Sequence, residues 1–103
     1  MILLNELYED VVLRDAPLVK TLFDKHDTVS LAIGLKKGVI FPKHSTSTPA
    51  ILHVIEGEIS FETDDECQEL KAFDSFDVPI DTPHWVIASS HAIFILTKRK
   101  SQE

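Results

Sequence analysis

The stretch that decides the fold spans residues 38–58 and reads GVIFPKHSTSTPAILHVIEGE. Its second half begins a long run of β-branched and apolar residues, from Pro49 to Phe61, which is broken only at Glu56-Gly57-Glu58. A run of this kind, interrupted by a glycine turn, is typical of neighbouring strands. Working outward from it, an alternation of period two begins at about residue 18 and continues toward the C-terminus, which favours a β protein.

Short strands with turn residues between them account for the rest of the chain. Asp64-Asp65-Glu66 forms the polar tip of a predicted hairpin, and two prolines stiffen the connection 79–83. Further strands are predicted at residues 29–36, 59–63, 68–71, 75–79, 84–88 and 91–98. Many short strands at near-regular spacing predict an all-β sandwich or barrel. The only helical candidate is the first ten or so residues.

Composition limits the class of protein. The chain has 103 residues, of which 44% are apolar, so one globular domain is expected. No apolar run approaches the ~20 residues that a membrane span needs, so no membrane partner is predicted. The single cysteine, Cys67, excludes an internal disulfide and fits a reducing compartment. Because the N-terminus carries no basic signal region, a cytoplasmic location is expected.

The net charge of -7 is concentrated in one segment. Between Glu56 and Asp81 there are ten acidic residues and one base, Lys71, which gives -9 and leaves +2 for the remainder. Nucleic acid is therefore excluded as a partner, since phosphate binding requires lysine and arginine. The segment could attract a cation or a basic partner, but the preferred interpretation is a set of solvent-facing strand and turn positions that stay charged for solubility and to protect sheet edges.

Two motifs in this sequence resemble those of the cupin superfamily. Gly38, His44 and Gly57 have the spacing of the first cupin motif, and Pro79 and His84 have the spacing of the second. The resemblance covers roughly residues 18–98. It implies an all-β, double-stranded β-helix, which is a cupin-like jelly-roll barrel, and a homodimer as the expected assembly.

The resemblance also implies a metal site, from which this sequence departs. Of the four expected ligand positions, His44 and His84 keep a histidine, whereas Thr46 and Ala50 replace a histidine and a glutamate. The glycines of the second motif are replaced by Phe73 and Asp81, and its final asparagine by Ala88. At most a weakly bound divalent metal (Fe, Mn, Ni or Zn) is therefore expected.

Strand alternation predicts which side chains accompany the two histidines. His53 lies in the strand of Ala50 but on the opposite face, so it is expected to point away from the site. Trp85 is likewise expected on the outer face, while Phe23, Phe61 and Phe94 are assigned to the core or an interface. The predicted pocket is mostly apolar, as small-molecule sites usually are, and consists of His44, Thr46, Ala50, Leu52, Val54, Phe41, Phe76, His84 and Val86.

Three functions follow as hypotheses. The first is a small-molecule binding protein whose barrel pocket holds at most a weak two-histidine metal site. The second is a metal-dependent cupin enzyme of the dioxygenase, isomerase or decarboxylase type that uses His44 and His84. The third is a structural or interaction homodimer.

The sequence predicts a short N-terminal extension followed by the barrel domain. Residues 1–17 are predicted to form a helix or arm, and residues 18–103 the barrel domain with a short basic tail at its end. The apolar residues of the extension could pack across a partner in a dimer; they are Leu3, Leu4, Leu7, Val11 and Val12.

Overall fold

The computed structural model describes residues 4–100, which form one short helix and nine strands. Leu3 of the predicted extension and residues 101–103 of the predicted barrel domain lie outside these residues. The elements are α1 (Leu4–Val11), β1 (Leu18–Lys25), β2 (Thr28–Leu35), β3 (Ile40–His44), β4 (Ala50–Glu56), β5 (Glu58–Thr63), β6 (Cys67–Lys71), β7 (Ser75–Val78), β8 (His84–Ala88) and β9 (Ala92–Arg99). Within residues 4–100, no helix has the length and apolar character that a membrane crossing requires.

The strands form two antiparallel sheets that face each other as a jelly-roll barrel. One sheet has the order β1-β2-β9-β4-β7 and the other the order β3-β8-β5-β6. The all-β prediction is therefore confirmed. The final strand begins and ends one residue later than predicted, because Leu35 pairs with Ala92 at one end and Thr28 with Arg99 at the other.

The barrel interior is an apolar core between the two sheets. Alternate residues of each strand point into it, as the period of two requires. Ile33, Leu52, Val54 and Phe94 are among the largest fully buried side chains. Sheet-on-sheet packing of this kind fixes which residues of β3, β4 and β8 face one another at the barrel mouth.

A second, smaller core lies on the outer face of the β1-β2-β9-β4-β7 sheet, under α1. Leu7 and Val11 of α1 are buried there against Leu18, Ala32 and Ile93 of the same chain. An eight-residue helix is too short to be stable alone in water, so this contact stabilises it. The predicted extension therefore packs on its own barrel along one side.

Four of the residues at the motif's glycine positions adopt the left-handed region that favours glycine. Gly38 and Gly57 have φ of 87° and 77°, and the two residues that replace motif glycines, Phe73 and Asp81, have φ of 76° and 56°. The backbone at Phe73 and Asp81 is thus in the region that glycine adopts most readily, although neither residue is glycine. Phe73 is 93% exposed, so no apolar contact compensates its strain.

The acidic segment includes one edge strand of each sheet. β6 ends one sheet and β7 ends the other. Glu69 and Asp77 are exposed there, and Asp64 and Glu66 are exposed on the hairpin tip. Charged side chains on an edge discourage pairing with another chain, which accounts for much of this charge.

Candidate functional site

A bulge in β3 brings His44 opposite His84. The register pairs Phe41 with Val86 and His44 with His84, so that β3 uses three steps where β8 uses two. Pro42 lies inside this bulge, on an edge strand, where its missing N–H costs no ladder hydrogen bond. Without the extra residue, strand alternation would put Phe41 and His44 on opposite faces of the sheet.

His84 is positioned by the connection between β7 and β8. The N–H of Asp81 donates to the Thr46 carbonyl at 2.8 Å, which ties this connection to the loop after His44. The Thr82 hydroxyl donates to the Ile80 carbonyl at 3.1 Å. His84 follows directly at the start of β8 and is only 4% exposed. The hydrogen bond between these two loops therefore helps to hold His44 and His84 in fixed relative positions.

Both imidazoles are held in the same tautomer. His44 Nδ1–H donates to the Pro42 carbonyl at 2.7 Å, and His84 Nδ1–H donates to the Thr82 carbonyl at 2.9 Å. A carbonyl oxygen can only accept, so Nδ1 carries the proton in each ring. In the neutral rings Nε2 is then a bare acceptor, and neither Nε2 has a hydrogen-bond partner within the described part of the chain.

Aromatic rings surround the histidine pair. The centroids of His44 and His84 are 4.4 Å apart, and Phe41 meets His44 edge-on at 5.0 Å. Phe61 stacks on His84 at 4.8 Å with an interplanar angle of 25°, and Phe76 lies 4.8 Å from Phe61. These five residues form the histidine site.

Phe61 contacts the site, although the sequence predicts it only as a core or interface residue. It is buried in the core, but its ring also covers one face of His84. The contact arises because β5 pairs with β8, with Phe61 opposite Val86. A strand pattern does not show which strands will be neighbours, so nothing in the local sequence around Phe61 indicated this contact.

Burial lowers the pKa of His84 below its ordinary value. Loss of water around the ring is the largest cause, and a positive charge on the adjacent His44 lowers the pKa further. The hydrogen bond to Thr82 acts in the opposite direction but does not cancel these effects. His84 is therefore neutral at neutral pH, with its Nε2 lone pair available.

The other two motif positions supply no further ligand. The Thr46 hydroxyl donates to the Thr48 carbonyl at 3.1 Å, within its own turn. Ala50 has no donor atom and lies at the start of β4 opposite Val78. Residues 4–100 contain no cluster of three or more His, Cys, Asp or Glu side chains that could hold a metal ion. Two imidazole nitrogens do not fit a tightly bound divalent cation, which needs three or four protein donors.

The apolar side chains of the predicted pocket belong to the barrel core. Leu52, Val54 and Val86 are fully buried in the barrel core, and Phe41 and Phe76 are half-buried against it. His44, by contrast, is exposed at the mouth. Four cavities of about 320 to 600 Å³ are lined by described residues, and none of these four includes either histidine. The site thus combines one exposed imidazole, His44, with one buried imidazole, His84.

The remaining histidines lie apart from the site. His53 is exposed on β4, opposite Ser75, on the outer face of the sheet. His26 occupies the turn between β1 and β2, with φ of 58°. His91 Nδ1 accepts a hydrogen bond from the Lys37 N–H at 2.9 Å. Trp85 is also outside the site, under the ammonium group of Lys43 at 5.3 Å.

The family model described as "Cupin domain" matches residues 33–97. No curated protein matches the chain. A similar solved structure is a conserved protein of unknown function from Streptococcus pyogenes, with 22% identity and a TM-score of 0.77 over 87% of this chain and 79% of that one.

Two further solved structures have the same fold. An RmlC-like cupin from Shewanella frigidimarina has 26% identity and a TM-score of 0.75 over 84% of this chain and 78% of that one. KdgF from a Halomonas species has 19% identity and a TM-score of 0.72 over 82% of both chains. Relatives of such different description share the barrel, so the fold alone does not identify a ligand.

Proposed function

Because the chain belongs to the cupin domain family, we propose that it binds a small organic molecule at the barrel mouth, over His44 and His84. The observation that supports this proposal is the tautomer of the two rings. Both Nδ1 atoms are occupied by backbone carbonyls, so both Nε2 atoms are acceptors with no partner among the described residues. Two adjacent acceptors beside aromatic side chains suit a ligand with two neighbouring donors.

The aromatic residues beside the two histidines favour a flat ligand. Phe41, which is half-buried beside His44, offers aromatic surface at the site, whereas Phe61 is buried behind His84. A flat molecule that carries adjacent hydroxyl or N–H groups would contact the Phe41 ring and donate to both Nε2 atoms. A buried acceptor left without a donor is unfavourable, so an otherwise similar molecule without donors should bind less well.

The proposed function does not require a divalent metal. His44 and His84 could ligate Fe, Mn, Ni or Zn through Nε2 only weakly, with water in the other positions. The function proposed here is binding and does not depend on a metal. The free, exposed Cys67 supports a reducing compartment, such as the cytoplasm, as the place where binding occurs.

Catechol is a suitable probe, since it is flat and carries two neighbouring hydroxyl groups. Titration into metal-free protein should shift the NMR signals of the His44 and His84 rings and leave that of His53 unchanged. Veratrole, the same ring with both hydroxyls methylated, is the matched control and should bind roughly tenfold more weakly.

Substitution by phenylalanine tests whether binding depends on the acceptor nitrogens of the histidines or only on their aromatic rings. His44→Phe and His84→Phe keep an aromatic ring but remove the acceptor, and each should weaken catechol binding by about tenfold. His53→Phe should have no effect. Equal binding of veratrole and catechol, or a stoichiometric metal that survives dialysis of the untreated protein, would contradict the proposal.

A further inference from the structure

A row of residues crosses the five-stranded sheet at one end of the barrel. The strand register aligns one residue from each strand in this row, and they are Asp24, Val29, Lys98, Ala50 and Val78. Ala50 and Val78 pack in the barrel core, so the row lies on the inner face of the sheet. Lys98 therefore points to the inside of the barrel from a central strand, β9.

This row lies at the same end of the barrel as His44 and His84. β3 ends at His44, and a five-residue loop crosses from there to Ala50 on the other sheet. A second five-residue connection runs from Val78 back to His84. Because both crossings are short and join the row to the two histidines, Lys98 faces the histidine site across the space between the sheets.

The ammonium group of Lys98 has no counter-ion. Within residues 4–100 it makes neither a hydrogen bond nor an ion pair. The carboxylate of the same row, Asp24, is paired with Lys100 instead, and the other members of the row are apolar. A half-buried cation without a partner is unfavourable, so an anion bound beside Lys98 would be stabilised.

The charge at this end of the barrel contrasts with that of the whole chain. The net charge is -7, and the acidic segment lies largely on the hairpin tip and on edge strands. By contrast, the described residues that converge here offer an unpaired ammonium group beside two imidazoles. A cationic group inside an otherwise acidic protein favours an anion at that point.

Space for a ligand lies beside Lys98. Lys98 and Ala50 line a cavity of about 430 Å³ that continues around the end of the sheet to Asp77. Asp77 lies on the outer face, beside Ile51, and makes no ion pair with Lys98. Facing sheets lie about 10 Å apart, and the four-carbon stem of a lysine spans about half of that gap. A ligand with a single aromatic ring is therefore long enough to join Lys98 to the histidines.

We propose that the ligand of the histidine site is an aromatic carboxylate, whose anionic group pairs with Lys98 while its neighbouring hydroxyl groups donate to His44 and His84. This inference rests on the proposed function, since it concerns the same site, and it adds the charge of the ligand. The ligand bridges the two sheets, with one end on β9 and the other on β3 and β8. Because Lys98 is half-buried, water and salt screen this ion pair less than they would at an exposed lysine.

Two ligands that differ in charge test the proposal. Protocatechuate is a catechol with a carboxylate on the opposite side of the ring, as a ligand that bridges the sheets requires, and protocatechuamide is its uncharged amide. Titration calorimetry of the metal-free full chain should give about tenfold tighter binding of the acid than of the amide. A pH of about 7.5, above the ordinary titration range of imidazole, ensures that the lysine attracts the anion. Equal affinities would overturn the proposal.

Substitution tests whether Lys98 causes this preference. The ratio of the two affinities should fall from about tenfold to near one in Lys98→Met and should persist in Lys98→Arg, which keeps the charge. Arg99→Met is the matched control, because it removes one positive charge from the next residue of β9, on the opposite face, and it should retain the preference. An equal loss in Lys98→Met and Arg99→Met would mean that net charge alone attracts the acid, which contradicts the proposal.

Benzoate distinguishes a failure of this inference from a failure of the proposed function. It has the carboxylate but no hydroxyl donors, and it should shift the amide NMR signals of Lys98 and Ala50 in the wild type but not in Lys98→Met. If catechol binds and the acid binds no more tightly than the amide, the inferred charge is wrong and the proposed function stands. If benzoate binds through Lys98 and catechol does not bind, the anion site stands and the hydrogen-bonding role of the histidines is wrong. If neither binds, both proposals are wrong.

Discussion

His84 lies against His44 with ring centroids 4.4 Å apart, one ring buried and the other exposed to solvent. The two are unequal because β8 is an interior strand of its sheet and β3 is an edge strand. The buried ring therefore resists protonation, while its neighbour remains in contact with water. This asymmetry makes the site sensitive to pH.

Stability should fall as the pH is lowered, through His84. Because burial lowers the pKa of His84 in the folded state, the unfolded chain binds the proton more readily below its ordinary value of 6.5. This contribution to stability is thus complete above pH 6.5 and is lost as the pH falls toward the lowered pKa. Chemical denaturation at several pH values across this range should show that the free energy of unfolding depends less on pH in His84→Gln than in the wild type. His53→Gln is the control for an exposed histidine, and an unchanged pH dependence in His84→Gln would refute the assignment.

Replacing Phe73 by glycine should stabilise the protein relative to replacement by alanine. Phe73 has φ of 76° and its side chain is almost fully exposed. Alanine keeps the Cβ that is unfavourable in this region, whereas glycine removes it, so Phe73→Gly should be about 1 kcal/mol more stable than Phe73→Ala. Thermal unfolding of both variants measures this difference, and equal midpoints would show that the turn is not strained.

Replacement by alanine should lower the free energy of unfolding more at Gly57 than at Gly38. Both glycines have positive φ, so both substitutions incur the backbone cost of about 1 kcal/mol. A Cβ at Gly57 would also lie 2.1 Å from the His91 carbonyl oxygen, whereas a Cβ at Gly38 meets nothing within 4 Å. Urea denaturation should therefore give a loss of stability for Gly57→Ala that exceeds that of Gly38→Ala. Equal losses would mean that the clash with the β8–β9 turn is relieved by a small backbone shift.

The contact between α1 and the sheet can be tested at Gly34. A Cβ there would lie 2.1 Å from Cγ2 of Val11, so Gly34→Ala should push α1 away and cost about 1–3 kcal/mol. Val11→Ala removes the clashing methyl groups. The double variant should be less destabilised than the sum of the single variants by roughly 1 kcal/mol. Additive losses in a thermodynamic cycle would show that the two residues do not compete for the same space.

The strands and both histidines could be predicted from the sequence because their signals are local. Alternation of period two depends on neighbouring residues, and the spacing of Gly38, His44 and Gly57 lies within one segment. The same alternation predicts that His53 and Trp85 point away from the histidine site, and the structure shows both of them outside that site. The positive φ of Phe73 and Asp81 could not be expected from residue type, since neither residue favours it as glycine does.

The sequence alone thus determined a β barrel of the cupin family, the two histidines that remain from its metal motif, and the acidic segment. These follow from residue type and spacing along the chain. The tertiary structure decided that a bulge sets His44 opposite His84, that Phe61 covers one face of His84, and that α1 packs on the outer face of one sheet. The physical reason is that each of these depends on which strands become neighbours, and strand pairing is set by the burial of the whole core and not by any one segment.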